Sequence, residues 1–514
     1  MDKPRVRHTV RLPDRAAHLV DVEMSVDEAD EGGTFLDFPV WTPGSYLVRE
    51  YARHVIGLAA TRFGGEPVPV TKVDKCTFQV DAKPGKKVIV RFRVYANELT
   101  VRTSHVDSDH AYLVTAATFP CVRGRGKEPV EVTILRPEGW NIATALPLSG
   151  EDTFRADDYD HLVDSPIEVG PHRVISFEVS GIPHRIALAG EGNFDLDQLL
   201  EDTHAICRTA AEVFGGEVPS RSYTFLWHVL EGAGGGIEHR DSCVCGFAPF
   251  SFRPPRSYVR QLSLISHEYF HTWNVKRIRP AELGPFDYRR ENYTRLLWVS
   301  EGFTSYYDGL ILRRAGLSSV PVFLDGLARM IRTYRETPGH AVDSVEQASF
   351  DAWIKLYRPH ENLRNMTVSY YLKGALVALL LDLTIRDLSD GAKSLDDVMR
   401  SLWAGYKARP ERGFTEAELM EALLEAAGRS LQPEIDAFVK GTGPLPLEEA
   451  LSRVGLALVV SDGAEPARPW LGLVPGDGGR VREVLDGSPA RAAGLNAGDE
   501  LIALDGFRLG DLAE

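Results

Sequence analysis

Five cysteines in 514 residues are too few and too irregularly placed for a disulfide framework. Cys76, Cys121, Cys207, Cys243 and Cys245 are also odd in number, which fits a reducing compartment. The C-x-C pair Cys243/Cys245 has no second pair at metal-site spacing, so a cysteine zinc site is set aside. Long apolar runs are missing as well. The longest, GALVALLLDL at 374–383, is too short to span a bilayer and follows Lys373 directly. The opening MDKPRVRHTVRLPDRAAH has no apolar core behind its basic residues and does not read as a signal peptide. A soluble protein without membrane insertion is expected, in the cytoplasm, or in the periplasm or outside the cell where a leader has been removed. Positive charge is in deficit: 58 Lys and Arg face 73 Asp and Glu, a net charge of -15. Such a surface repels nucleic acid and anionic membrane, so neither is expected as a partner.

What is present is ordinary for a globular protein, 44% hydrophobic and 25% charged, in a length that suggests about three domains. Residues 1–185 carry short alternating runs (HTVRL, KCTFQVDA, KVIVRFRVYA, HRVISFEVSG) between Gly, Pro and Asp clusters, which predicts a β-sandwich-like two-sheet domain. The character then changes. FDLDQLLEDTHAICRTAAEVFGG puts Leu196, Leu199, Leu200, Ile206, Ala210 and Val213 on one helical stripe, closed by Gly215 and Gly216. SYTFLWHVL (222–230) reads as a strand, and the chain from about 257 to 445 is mostly helical. Residues 186–454 are therefore expected to form a mostly helical domain with a small sheet. A third segment, 455–514, shows strand, strand, short-helix and strand signals. The expected fold class is multidomain α+β.

Ile265-Ser266-His267-Glu268-Tyr269-Phe270-His271 contains H-E-x-x-H. Residues four apart share a helix face about one turn apart, so two imidazoles can converge on one tetrahedral Zn²⁺. Glu268, about 100° around the helix from His267, can reach an attacking water instead of the metal, taking its proton and later delivering one to the leaving amine. A third ligand is required. Glu301 sits in the apolar helical pattern WVSEGFTSYY, where an unpaired charge is costly; a solvated helix residue is the alternative. Asp308, two turns further on, could orient a histidine ligand or simply face water.

HEYFHTWNVKRIRP, PFDYRRENYTRLLWVSEGFTSYY and WTPGSYLVREYARHV together resemble the glycyl aminopeptidase family of gluzincin metallopeptidases. The resemblance covers essentially the whole chain. It implies an N-terminal β domain, a thermolysin-like catalytic domain and a PDZ domain. It also implies one Zn²⁺ per chain, held by His267, His271 and Glu301. Gly234-Gly235-Gly236-Ile237-Glu238-His239 looks like the G-x-M-E-N segment of related aminopeptidases, with Ile for Met and His for Asn. Physically, a glycine edge at Gly235 and Gly236, followed by Ile237, lets peptide backbone approach closely. Glu238 could then bind a free α-ammonium by a charge-assisted hydrogen bond. The departure at His239 leaves that position's role open. Tyr371-Leu372-Lys373-Gly374 resembles the Y-x-K-G segment, in which the tyrosine steadies the oxyanion. WLGL (470–473), SPARAAGL (488–495) and GDELI (498–502) resemble an incomplete PDZ domain, whose last helix would follow about residue 508, implying a C-terminal peptide as a further ligand.

These readings lead to a zinc aminopeptidase acting on peptides with free N-termini; the preference for Gly or Ala comes from the resemblance alone. A thermolysin-like endopeptidase is the alternative within enzymes. A PDZ-type binding protein with a structural metal is the alternative outside them, though such a site has no use for Glu268.

Overall fold

The computed structural model describes residues 4–459 and 470–509. By internal contacts the chain forms two units, Met1–Asn292 with Ile311–Ser318, and Tyr293–Leu310 with Ser319–Glu514. The sheet-rich N-terminal part and the helical C-terminal part make it a multidomain α+β protein.

In the first unit the alternating runs become strands with one buried face. Val88–Tyr95 alternates buried and outward residues along its whole length, with Val88, Val90, Phe92 and Val94 inside. Three sheets form from the N-terminal strands, of eight, five and four strands, where two were expected. Alternation locates strands but does not say which ones pair: Val6–Asp14 joins Leu19–Val26 antiparallel on one side and the distant Val130–Leu135 parallel on the other.

A further five-stranded sheet carries the chemistry. Its order is Arg173–Val179, Ile182–Gly190, Tyr223–Val229, Ser242–Phe247, Gly235–Glu238. The three inner strands are mutually parallel, and every residue of Tyr223–Val229 and Ser242–Phe247 is buried, as expected of parallel strands covered on both faces. Cys243 and Cys245 lie in this buried core as free thiols. The helix Leu196–Val213, capped by Asp195 and closed before Gly215, packs against the motif helix Pro255–Phe270. The motif helix in turn contacts the last two strands of the sheet.

In the second unit Trp298–Phe303 forms a π-helical turn that runs on into the helix Thr304–Arg314. The apolar stretch around 374–383 becomes the buried helix Leu372–Leu388. Capping boxes at Ser394/Asp397 and Thr415/Glu418 start the helices Leu395–Ala408 and Glu416–Ala427, and Gly428 at φ 72° ends the latter. The C-terminal elements follow the expected order: Leu473–Pro475 paired with Val481–Val484, a short helix Pro489–Ala492, then Ala503–Leu504 with Phe507–Arg508. Val481, Val484 and Ala490 form its small core with Leu473, Leu495 and Leu501. The end of the chain, on which the last expected helix would fall, lies outside the described residues. No described helix is long and apolar enough to cross a membrane.

Candidate active site

The motif helix ends at Phe270, and His271 is its C-cap. Trp273 is drawn into the core, stacked on Phe214 at 4.8 Å, so the chain turns sharply out of the helix. That turn brings the Asn274 carbonyl to 2.6 Å from Nδ1 of His271. A carbonyl only accepts, so Nδ1 carries the proton and Nε2 is left with its lone pair for a metal. His271 is buried, and its ring meets that of His267 edge-on at 4.6 Å. His267 and His271 so placed supply two of the three ligands expected from the sequence, and Glu301, the third, belongs to the second unit. Two imidazoles and a carboxylate form a donor set that suits zinc.

Glu268, one position into the motif, is buried on a different bearing. Its carboxylate lies over the glycine strand: a Cβ on Gly236 would stand 2.1 Å from Oε1 of Glu268. The strand therefore needs glycine there for the approach of Glu268, where the sequence had suggested the approach of a peptide backbone. Two residues along, Glu238 is also buried, and Glu238, Glu268 and His271 each offer a ligand atom within 4.8 Å of the others. Oε1 of Glu238 has no hydrogen-bond partner among the described residues. Ile237 is buried in the same strand, and Gly235 sits at φ 76°, a conformation that favours glycine.

Several residues around this strand had no role assigned from the sequence. Gly44, in the WTPGSY segment, packs on Glu238 at φ 87°; a Cβ there would fall 2.8 Å from Oε2 and 2.9 Å from Oε1. Arg102 donates to the Gly236 carbonyl at 3.1 Å. His239, whose role was open, is buried with Nδ1 3.1 Å from Oδ1 of Asp164. Asp164 also accepts from Lys276 Nζ at 2.8 Å and from the Arg240 backbone N–H at 3.0 Å. Burial opposes charge on Asp164, but Lys276 and His239 outweigh it and hold its carboxyl well below the usual range. The ionised Asp164 thus ties the end of the glycine strand to the segment just beyond the motif helix.

Glu301 is buried in its π-helical turn, a geometry that recurs at functional sites. The next residue, Gly302, crosses Gly374 backbone to backbone: a Cβ on Gly302 would meet Gly374 Cα at 2.5 Å. This crossing explains the glycine of the Tyr371-Leu372-Lys373-Gly374 segment and sets Glu301 near Tyr371. Burial first, and then the Glu301 charge, push the Tyr371 hydroxyl well above its ordinary value, so it remains an O–H donor. Its oxygen is 3.4 Å from that of Tyr357. The neighbouring Tyr370 is fully buried and stacked on Tyr371 at 4.9 Å. Lys373 is buried, lowered by burial to about 8, and donates to the Gly441 carbonyl at 3.1 Å. Asp308 is partly exposed on the helix Thr304–Arg314.

A buried H-E-x-x-H turn, a third carboxylate and a second acidic residue on a glycine strand define the chain as a metallopeptidase of the aminopeptidase type. Comparison with known proteins agrees. The M61 glycyl aminopeptidase family model matches residues 260–377, and the Peptidase M61 N-terminal domain matches residues 7–171. An aminopeptidase N family protein from Idiomarina loihiensis is similar in structure at TM-score 0.92 and 31% identity, over 98% of this chain and 90% of that one. The chain belongs to the M61 glycyl aminopeptidase family, and it is a metallo-aminopeptidase. An M1 zinc metallopeptidase mutant from Deinococcus radiodurans, bound to Tyr-Ser-Ala, shares the fold at TM-score 0.50 and 14% identity, over 87% of this chain and 95% of that one. A second structure of the M1 zinc metallopeptidase mutant from Deinococcus radiodurans aligns at TM-score 0.51 and 16% identity, over 87% of this chain and 96% of that one. Among curated proteins no significant match was found.

Proposed function

We propose that the protein removes small N-terminal residues, glycine or alanine, from peptides, using one zinc ion held by His267, His271 and Glu301. Zinc, when bound there, would polarise the scissile carbonyl and acidify a water. Glu268 takes the proton of the attacking water and returns one to the leaving amine. Tyr371, kept protonated, donates to the oxyanion. Gly235, Gly236 and Ile237 lie along the substrate backbone, and Glu238 binds the α-ammonium. The small-residue preference rests on family membership.

The observation that carries the aminopeptidase reading is the approach of Glu238 to Glu268 and His271 within 4.8 Å. Two carboxylates so close and so buried repel unless a cation joins them. A substrate ammonium supplies that charge, and an acetylated N-terminus does not. The C-terminal elements are read as a partial PDZ-like module, at whose strand edge a C-terminal peptide would add.

A glycyl anilide, its N-acetylated twin and the Glu268→Gln protein test this. Cleavage of the free amine alone, lost in Glu268→Gln, is expected. Cleavage of both substrates would favour a thermolysin-like endopeptidase. Retained function in Glu268→Gln would favour a binding protein with a structural metal.

A further inference from the structure

Away from this site, the first unit contains a second cluster of metal-ligating side chains. His110 follows the strand Thr103–Val106, Glu168 lies on Ile167–Gly170, and His228 lies on the inner strand Tyr223–Val229. All three are buried, at 5%, 0% and 1% exposure. One ligand atom from each lies within 4.8 Å of the other two. Nε2 of His228 is 3.0 Å from Oε2 of Glu168. The other two contacts are missing: Nε2 of His110 and Oε1 of Glu168 have no hydrogen-bond partner among the described residues.

Leaving such atoms unsatisfied in the interior is costly, and more so for a charge. Buried polar groups are otherwise almost always paired, and the exceptions mark an ion, a water or a catalytic group. The mechanism above uses none of these residues. The remaining geometry favours a cation. Nδ1 of His110 faces Oδ1 of Asp107 at 3.5 Å, while Oδ2 of Asp107 holds Nε2 of His105 at 3.0 Å. A carboxylate behind one ring nitrogen, with the other nitrogen left over, is how histidine ligands are oriented toward a metal. Tetrahedral zinc with bonds near 2.1 Å places its ligand atoms about 3.4 Å apart. The existing 3.0 Å separation of His228 and Glu168 is already close to one such edge.

We propose that His110, Glu168 and His228 form a second, structural site for a divalent transition metal, with Asp107 orienting His110. The site would staple the five-stranded N-terminal sheet, which carries Ile167–Gly170 and Thr103–Val106, to the inner strand Tyr223–Val229 of the sheet beside the motif helix. It stands independently of the catalytic reading.

The test is metal stoichiometry of the full chain after loading with Zn²⁺ and desalting. Two zinc ions per chain are expected in the wild type, one in His267→Ala/His271→Ala, and none when Glu168→Gln is added to that pair. One zinc in the wild type and none in His267→Ala/His271→Ala would overturn the proposal, leaving a water or a shared proton in the interior. One zinc in both, lost on Glu168→Gln alone, would uphold this site and count against the catalytic ligand set. Should Glu168→Gln prevent folding, zinc-edge absorption of the His267→Ala/His271→Ala protein decides. Two imidazole donors and an oxygen shell support the site; sulfur or all-oxygen coordination refutes it.

Discussion

Replacing Gly236 by alanine separates the position of Glu268 from everything else in the site. The new Cβ would stand 2.1 Å from Oε1, 2.4 Å from Cδ and 2.6 Å from Cγ of Glu268, whereas ordinary contact begins near 3.4 Å. The carboxylate must therefore retreat by more than ~1 Å, and misplacement of that size at a reacting group costs on the order of 100-fold in rate. The fold yields cheaply, because the clashing atoms belong to the end of a side chain, and Gly236 does not occupy the left-handed region. Gly235→Ala is the control. Its φ of 76° makes it strained, at about 1–2 kcal/mol, but its Cβ meets nothing closer than Arg102 Nη1 at 3.8 Å. Steady-state hydrolysis of a glycyl anilide, zinc content and the thermal midpoint would be measured on both. Gly236→Ala should lose about two orders of magnitude in kcat with zinc retained and stability near wild type. Gly235→Ala should lose stability first and kcat least. Wild-type kcat in Gly236→Ala would refute the placement of Glu268 over the glycine strand as its working position.

Gly44→Ala pushes against both oxygens of Glu238, at 2.8 and 2.9 Å, and should raise KM for free-amine peptides by roughly tenfold or more. An unchanged KM would dissociate Glu238 from ammonium binding. Gly302→Ala would drive a Cβ to 2.5 Å from Gly374 Cα, and overpacking of this kind costs about 1–3 kcal/mol. A lower urea midpoint together with weaker zinc retention is expected; a lower midpoint with zinc retention intact would show that the crossing does not support Glu301. His8 is fully buried, and burial lowers it from 6.5 to about 3. The unfolded chain therefore binds the extra proton between those values. The stability at stake is full above pH 6.5 and is lost as pH falls toward 3, about 2 kcal/mol of it by pH 5. Urea midpoints at pH 7 and pH 5 should differ less in His8→Leu than in wild type, and equal differences would refute the assignment.

The sequence made the motif legible because helix geometry links positions four apart, so His267 and His271 could be placed without a fold. No such rule reaches Glu301, which needed its apolar surroundings and the family resemblance. Its π-helical turn was invisible, since a single widened turn leaves the hydrophobic pattern almost unchanged. His239 shows the same limit. Its partner Asp164 is 75 residues away, and only the folded sheet brings them to 3.1 Å. Local alternation likewise marked the N-terminal strands without revealing their three sheets, because pairing such as Val6–Asp14 with Val130–Leu135 is a property of topology.

The residues that sequence reasoning missed are those that argue most directly for an N-terminus as substrate. Among the described residues Gly235–Glu238 is an edge strand paired with Ser242–Phe247, the kind of edge to which a peptide can add. An endopeptidase must let that peptide run on in both directions past the base. Here the Gly44 turn lies against Glu238 at the end of the edge. A chain that ends at Glu238 meets a carboxylate oxygen without a partner among the described residues, whereas one that continued past it would meet the tightly packed Gly44 turn. On the proposed reading, Gly44 of the N-terminal domain would act on specificity through the glycine strand, with which it shares one unit.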